Sequence, residues 1–160
     1  MGPLTEKFLE ALGREVGFTP EATEGGLVPL LAGDRRALLH FREGEESLVL
    51  YAEIGRPAAA RRAEALAHFM ARNFLLCETG GAVFSYVPSD NMLGQNMRLD
   101  MNRLEVPVFL QSLDAFLEMA AENAALLARM NGSAAPDAPP PPPGGAQADG
   151  ARGGGDFIRA

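Results

Sequence analysis

The segment from Ala63 to Tyr86 constrains the fold of this chain more than any other. It reads AEALAHFMARNFLLCETGGAVFSY, which is typical of an apolar helix, a tight turn at Gly80-Gly81 and a strand. The helical part carries apolar residues around more of its circumference than one core-facing stripe requires. A surplus apolar surface on a small protein indicates a partner, so we expect this segment to lie at an interface.

The composition divides the chain into two parts. The chain has 160 residues, and from Asn131 onward it is rich in Ala, Pro and Gly, with five consecutive prolines at 139–143. Such a segment cannot bury enough apolar surface to offset its ordering entropy, so we expect residues 131–160 to be a disordered Pro/Gly-rich tail. Residues 1–130 then form one domain. Whether the apolar pair Phe157-Ile158 in the tail docks onto that domain stays open.

Charge and cysteine content exclude several classes of protein. The net charge is −7, which argues against nucleic acid as a ligand because an acidic surface repels phosphate. Cys77 is the only cysteine, as expected for a reducing compartment. The first ten residues contain charges and lack the apolar run of a signal peptide, and no window is apolar enough to span a bilayer. We therefore expect a cytoplasmic protein without membrane insertion.

The first half of the chain predicts a helix followed by three strands. Leu4, Phe8, Leu12 and Val16 recur every fourth residue, with Thr5 as the expected cap and Gly17 as the stop. The three extended segments are Leu27–Leu31, Arg35–Arg42 and Ser47–Ile54, with turns at Gly33-Asp34 and Glu43-Gly44. Pro29 predicts that the first of these strands lies at a sheet edge.

The middle helix is expected from about Ala58 to Leu76 and has two apolar faces. The residues assigned to the core are Ala63, Leu66, Met70, Phe74 and Cys77. Ala65, Phe69 and Leu76 lie about 100 degrees away on the helical wheel and form a second stripe. We assign this second stripe to a partner subunit; the alternative is that the sheet of the same chain covers it.

Two further strands and a long helix complete the predicted order. The strands are Ala82–Val87 and Met92–Leu104, and Pro107 lies near the first turn of the last helix. Strands are grouped instead of alternating singly with helices. The predicted fold class is therefore α+β, with a helix, a three-stranded antiparallel meander, a helix, two further strands and a C-terminal helix.

The chain offers no convincing catalytic, metal or cofactor site. His40 and His68 lie on different elements and form no zinc pattern with Cys77, which we place in the core. Gly80-Gly81 follows a helix and precedes a strand, the reverse of a phosphate-binding loop. The glutamates of the predicted hairpin turn, Glu43, Glu45 and Glu46, lack calcium-loop spacing. We expect no cofactor and no enzymatic activity.

The middle segment resembles the class I type III secretion chaperones (the CesT/SycE-like family). The residues that carry the resemblance are Asn73-Phe74-Leu75-Leu76, Glu78-Thr79-Gly80-Gly81-Ala82 and the stretch from Met97 to Leu104 with the long helix after it. The resemblance covers about residues 4–130, and the long tail departs from it.

This resemblance implies a cytoplasmic bacterial homodimer that binds an extended segment near the N-terminus of an effector protein. It also implies that the chaperone keeps the effector competent for secretion and helps deliver it to the export ATPase. The dimer interface would come from the middle helix and the next strand, and the residues we assign to it are Ala65, Phe69, Arg72, Leu76, Val83 and Phe84.

An extended effector segment can add to an exposed strand edge while its side chains enter apolar pockets. The residues we assign to this contact are Leu4, Phe8, Leu27, Leu30, Leu38, Val49 and Tyr51. The sequence leaves open which face of the sheet points outward, and which effector is bound. A dimeric ligand-binding or regulatory domain of the same fold, without a role in secretion, is the alternative.

Overall fold

The computed structural model describes residues 2–18, 20–32, 35–76 and 79–132. The helices are α1 (Pro3–Val16), α2 (Arg62–Ala71) and α3 (Val106–Gly132). The strands are β1 (Leu27–Ala32), β2 (Arg35–Arg42), β3 (Ser47–Gly55), β4 (Val83–Val87) and β5 (Met92–Asp100). This element order confirms the α+β class predicted from the sequence.

Both ends of α1 follow from local backbone chemistry. Gly2 is the N-cap residue and Pro3 occupies the first turn, where a missing amide costs nothing. Gly17 ends the helix in the left-handed conformation at φ 77°, as predicted, and its N–H donates to the carbonyl of Gly13. The prediction of Thr5 as the cap was wrong: it lies inside the helix and is buried.

The five strands form one antiparallel sheet in the order β1-β2-β3-β5-β4. The meander β1-β2-β3 pairs as the sequence predicts, and β5 then inserts between β3 and β4. The two edges of the sheet are therefore β1 and β4. Gly26, just before β1, must be glycine, because a Cβ there would lie 2.3 Å from the carbonyl oxygen of Phe41.

The core lies between one face of the sheet and the helices. Leu39, Leu50 and Met97 are cross-strand partners and so share this inner face, of which Leu39 and Leu50 are fully buried. Phe8 of α1 packs against Phe109 of α3, with ring centroids 5.1 Å apart. Each such buried side chain contributes about 1.5–3 kcal/mol by transfer from water.

The middle helix differs from its prediction in length and in orientation. The α-helix covers only Arg62–Ala71, and separate short 3-10 turns lie at Ala59–Arg61 and Phe74–Leu76. Because the α-helical phase ends at Ala71, a helical wheel cannot be extended to positions 74–77. The assignment of the two apolar faces was partly wrong: Phe69, assigned to a partner, is 0% exposed, whereas Phe74, assigned to the core, is 77% exposed. Leu66 packs against the core as predicted.

A buried chain of polar side chains joins α2, α3 and β5. Gln95 on the inner face donates to the carbonyl of Phe116 at 2.9 Å, and Asn123 donates to the Gln95 side-chain oxygen at 3.0 Å. Arg72 donates to Asn123 Oδ1 at 2.7 Å, and its guanidinium lies 5.3 Å from the Phe84 ring centroid. These bonds satisfy two buried amides and fix α2 relative to α3 within one chain.

The last helix extends beyond residue 130, where the sequence analysis placed the end of the domain. Helix α3 continues to Gly132, and the Asn131 side chain accepts a hydrogen bond from the amide of Ala58 and donates to the carbonyl of Arg56. Strand β5 ends at Asp100, four residues before the predicted end, because a turn at 101–103 follows. The turn at Gly33-Asp34, Cys77 and residues 133–160 lie outside the described residues.

Candidate functional site

The backbone of β1 presents hydrogen-bonding groups away from the sheet. The Phe41 amide donates to the carbonyl of Gly26 at 2.9 Å, which fixes the register of the β1–β2 ladder. Because backbone groups alternate in direction along a strand, those of Leu27, Pro29 and Leu31 point away from β2. The missing amide of Pro29 therefore interrupts no bond of the ladder, which confirms β1 as the predicted edge strand.

Only part of this edge is available to another strand. Thr23 binds both outward groups of Leu27: its amide donates to the Leu27 carbonyl at 2.9 Å, and its hydroxyl accepts from the Leu27 amide at 3.2 Å. The carbonyl of Pro29 and the amide and carbonyl of Leu31 remain as the groups that a new strand would pair with. The open part of the β1 edge is thus centred on Leu31, whose side chain is 74% exposed.

The opposite edge of the sheet is already occupied by a side chain. The Phe84 amide donates to Asn73 Oδ1 at 2.8 Å, and Asn73 Nδ2 donates to the Phe84 carbonyl at 3.1 Å. One amide side chain thus takes the place of a neighbouring strand in the middle of β4. The two edges therefore differ in kind: β4 has an internal partner at its centre, and β1 does not.

An apolar groove lies on the helical side of β1. This helix-side groove has a volume of about 760 Å³ and is lined by α1 and α3 together with β1. Its apolar side chains away from β1 are Leu12, Val16, Phe18, Leu110, Leu113 and Leu117. Two carboxylates, Glu15 and Asp114, also line it, so the groove combines an apolar floor with negative charge.

A second apolar concavity lies on the opposite face of the same strand. This outer recess has a volume of about 500 Å³ and is lined by Pro29, Leu30, Leu31, Arg36, Ala37, Leu38, Tyr51 and Glu53. Pro29, Leu30 and Leu31 line both concavities. The open edge of β1 is therefore flanked by apolar surface on each side.

Tyr51 owes its position in the outer recess to a glycine on the neighbouring strand. A Cβ on Gly94 would lie 2.6 Å from Cε2 of Tyr51. The Tyr51 ring therefore occupies space that the side chain of any residue other than glycine at position 94 would fill. Burial raises the pKa of the Tyr51 hydroxyl, and the negative charges of Glu53 and Asp90 raise it further. The phenol therefore stays neutral at physiological pH and contributes an uncharged surface to the recess.

The residues assigned to the effector contact are partly brought together by the fold. Leu38 and Tyr51 line the outer recess, and Leu30 lines both concavities. Leu27 and Val49 are half-buried, and their pairing with His40 places them in one row of the outer face. The outer face, left open by the sequence, is thus the one that carries Leu38, Val49 and Tyr51.

Leu27 and Val49 line neither concavity, and two further assignments, which are on α1, lie away from the outer face as well. Phe8 is 0% exposed and packs against Phe109, so the prediction that it contacts a partner was wrong. Leu4 is half-buried against the core and lines neither concavity. An every-fourth-residue pattern cannot distinguish the core from a groove, because both select apolar side chains.

Sequence reasoning missed the most exposed apolar residues of the site. Leu31 was placed in the strand but not in the contact, and Phe18, which is 60% exposed, was not considered. Two signals could have found them. Leu30 and Leu31 are consecutive apolar residues on an edge strand, so one of them must face away from the core, and Phe18 lies beyond the glycine that ends α1.

A separate group of exposed apolar residues lies at the β4 end of the molecule. We call it the β4 patch; its members are Met70, Phe74, Leu76, Val83 and Val87. Because Asn73 is bonded to Phe84, the 3-10 turn that follows α2 lies beside β4. Leu76 also has φ 53°, a conformation that is strained for a large apolar residue.

The residues predicted for the dimer interface divide into two groups. Ala65, Phe69 and Phe84 are buried within one chain, where Phe69 and Phe84 pack with ring centroids 5.0 Å apart. The alternative reading, that the chain's own sheet covers the stripe, therefore holds for Ala65 and Phe69. Arg72 bonds to Asn123 as described above. Leu76 and Val83 are exposed and belong to the β4 patch.

Two further kinds of site are absent from the described ranges 2–18, 20–32, 35–76 and 79–132. These residues contain no cluster of three or more His, Cys, Asp or Glu side chains suited to a metal ion. No helix among them is both long enough and apolar enough to cross a membrane. His68 is exposed, as predicted, with its ring 5.3 Å from that of Phe69.

The sequence also matches a family profile. The profile of the Tir chaperone protein (CesT) family matches residues 7–123, which include most of α1, the whole sheet, α2 and about two thirds of α3. The chain belongs to this family. This confirms the resemblance to the class I type III secretion chaperones that was stated on the residues around Asn73. No curated protein is significantly similar to the chain in sequence.

Several solved structures share this fold over most of the domain. The ExsC–ExsE complex gives a TM-score of 0.66 at 17% identity and covers 79% of this chain and 97% of the other. The HopA1–SchA chaperone–effector complex gives 0.63 at 13% identity, with 76% and 94% covered. The Yersinia pestis type III secretion chaperone SycH, in complex with a stable fragment of YscM2, gives 0.59 at 16% identity, with 74% and 98% covered. At these identities the similarity shows the fold.

The role of Asn73 can be tested by substitution. Asn73→Leu leaves the amide and carbonyl of Phe84 without their partner, and we expect it to lower the free energy of unfolding by about 2–4 kcal/mol, measured by urea denaturation. Asn73→Asp keeps an acceptor for the Phe84 amide, so its free energy of unfolding should lie between those of Asn73→Leu and the native chain. Gln111→Leu, an equivalent polar-to-apolar change at an exposed position of α3, is the matched control and should have little effect. Equal stability of Asn73→Leu and the control would contradict the role given to this side chain.

Proposed function

We propose that this CesT-family protein is a cytoplasmic chaperone of a bacterial type III secretion system. It binds an extended segment near the N-terminus of an effector and holds that segment against the β1 edge. The observation that carries the proposal is an open strand edge, centred on Leu31, with an apolar concavity on each of its two faces.

The geometry of an added strand explains why two concavities are useful. Successive side chains of a strand point to opposite faces of a sheet. A segment paired with β1 would therefore direct alternate side chains into the helix-side groove and into the outer recess. A folded domain presents consecutive apolar residues in this way only rarely, whereas an unfolded segment does so readily, so the site is suited to a non-globular client.

Magnitudes indicate which contacts determine the affinity. Each backbone hydrogen bond to Pro29 or Leu31 contributes about 1 kcal/mol net, and fixing one residue of the client backbone costs about 1–2 kcal/mol. The edge alone therefore cannot hold an extended segment. Burying client side chains adds about 1.5–3 kcal/mol each, so the apolar lining supplies the affinity and the edge supplies the register.

We further propose that the protein is a homodimer that associates through the β4 patch. The patch places exposed apolar residues on two neighbouring elements, and a symmetric pairing would cover both copies at once. The proposed interface keeps the region predicted from the sequence, which is the end of the middle helix and the next strand. Its residues are now the exposed ones of the β4 patch, of which Phe74 is the most exposed. This arrangement leaves the β1 edge of each protomer accessible.

The proposed role is one of binding, not catalysis. A bound segment is prevented from folding or aggregating, which is what keeping an effector competent for secretion requires. Delivery to the export ATPase is part of the same proposal. A regulatory domain of the same fold would also be a dimer, but an edge between two apolar concavities favours a polypeptide client over a small ligand.

The client site is tested by photo-cross-linking followed by binding measurements. A benzophenone amino acid at Leu38 should cross-link to one effector segment in the native bacterium, identified by mass spectrometry, and the same group at Lys7 should not. With a synthetic peptide of that segment, Leu31→Asp should weaken binding at least tenfold by calorimetry, because a carboxylate would enter an apolar contact.

Val108→Asp is the matched control for this substitution. Val108 is 49% exposed and lines neither concavity, so its replacement should leave the affinity for the peptide within about twofold. Equal affinities of Leu31→Asp and Val108→Asp would exclude the β1 edge as the client site.

The dimer is tested by sedimentation. We expect Phe74→Glu to convert the dimer into a monomer, because two carboxylates would be buried across a symmetric contact. Leu31→Glu, an equivalent change at the other edge of the sheet, should remain dimeric. A dimeric Phe74→Glu protein would remove the β4 patch from the interface.

A further inference from the structure

The part of the chain that follows α3 contains a segment that matches the β1 edge on both of its faces. Phe157 and Ile158 are the only aromatic or branched aliphatic residues in the sequence from 131 to 160, and they are adjacent within Asp156-Phe157-Ile158-Arg159. We propose that this segment of the chain's own tail pairs with the β1 edge and competes with the client. The inference rests on the proposed function of the same site and adds a mode of regulation to it.

The alternation of side chains matches the two faces in apolar character and in charge. In a strand paired with β1, Phe157 and Arg159 share one face, and Asp156 and Ile158 share the other. Phe157 directed into the helix-side groove brings Arg159 towards the carboxylates of Glu15 and Asp114, which line that groove. Ile158 then enters the outer recess and Asp156 faces Arg36, which lines the recess.

The length of the connecting segment suits this contact. Helix α3 lines the groove up to Leu117 and ends at Gly132, a distance of about 22 Å along the helix axis at 1.5 Å per residue. By composition, the 23 residues from 133 to 155, which include five consecutive prolines, have an expected root-mean-square span of roughly 28 Å. A linker whose span matches the distance gives the tail an effective concentration on the order of 1 mM.

This arithmetic predicts a weak competitor that a client can displace. Two apolar side chains and two ion pairs give a free peptide a dissociation constant on the order of 1 mM. At an equal effective concentration the tail would occupy the edge about half of the time. Its removal should then raise the affinity for a client roughly twofold.

The test compares amide chemical shifts in the full-length chain by NMR and needs no client. The double substitution Phe157→Ser with Ile158→Ser should shift the amides of Leu30, Leu31 and Leu113, whereas Ala148→Ser with Ala151→Ser, an equal number of changes in the tail, should not. An absence of differences at β1 between these two variants would overturn the inference.

A charge exchange tests the assigned orientation. Arg159→Glu alone and Asp114→Arg alone should each move the β1 amides towards the shifts of the Phe157→Ser, Ile158→Ser protein, and the double variant should restore the native shifts. If the shift changes of the double variant equal the sum of those of the two single variants, the orientation assigned to the tail segment is wrong. If the shift differences fade on tenfold dilution, the tail of a second copy occupies the edge, which contradicts an intramolecular contact.

These outcomes separate the inference from the proposed function. Shift differences at β1 without any effector segment recovered by cross-linking would leave the tail contact standing and remove the chaperone role. Recovery of a client without shift differences at β1 would support the chaperone role and overturn the tail contact. If both results are obtained, the Phe157→Ser, Ile158→Ser protein should bind the client peptide about twofold more tightly than the native chain.

Discussion

The pair of hydrogen bonds between the Asn73 side chain and the backbone of Phe84 determines how this molecule can use its sheet. An open sheet has two edges, and either can accept another strand. Here one edge is occupied at its centre by a side chain of the same protein, while the other presents Pro29 and Leu31. In the function we propose, this asymmetry separates two surfaces: β1 for an extended polypeptide and the β4 end for a second copy.

The inner face of the sheet explains why both edges can be specialised. All three helices pack on this face, and the buried bonds that link Gln95, Asn123 and Arg72 hold α2 to α3. Breaking one of these would leave a buried amide unpaired, at a cost of about 1–3 kcal/mol. The core is thus complete within one chain, which leaves the outer face and the edges for partners.

The sequence predicted the element order and the edge position of β1 because these depend on local chemistry, such as the proline in β1 and the glycine at the end of α1. It could not decide which apolar face of α2 packs inward, since Phe69 and Phe74 are equally apolar and only their contacts distinguish them. The same limit applied to Phe8, which is core, and to Leu31, which is not. The role of Asn73 also escaped prediction, because its partner Phe84 is a backbone position on another element.

The central claim is that β1, and not β4, receives the client backbone. Amide hydrogen exchange, measured residue by residue in the native protein with and without the client peptide, tests this most directly. The account predicts that the Leu31 amide exchanges much more slowly in the complex, while the amides of β4 keep their rates. New protection along β4, or an unchanged rate at Leu31 in a saturated complex, would contradict it.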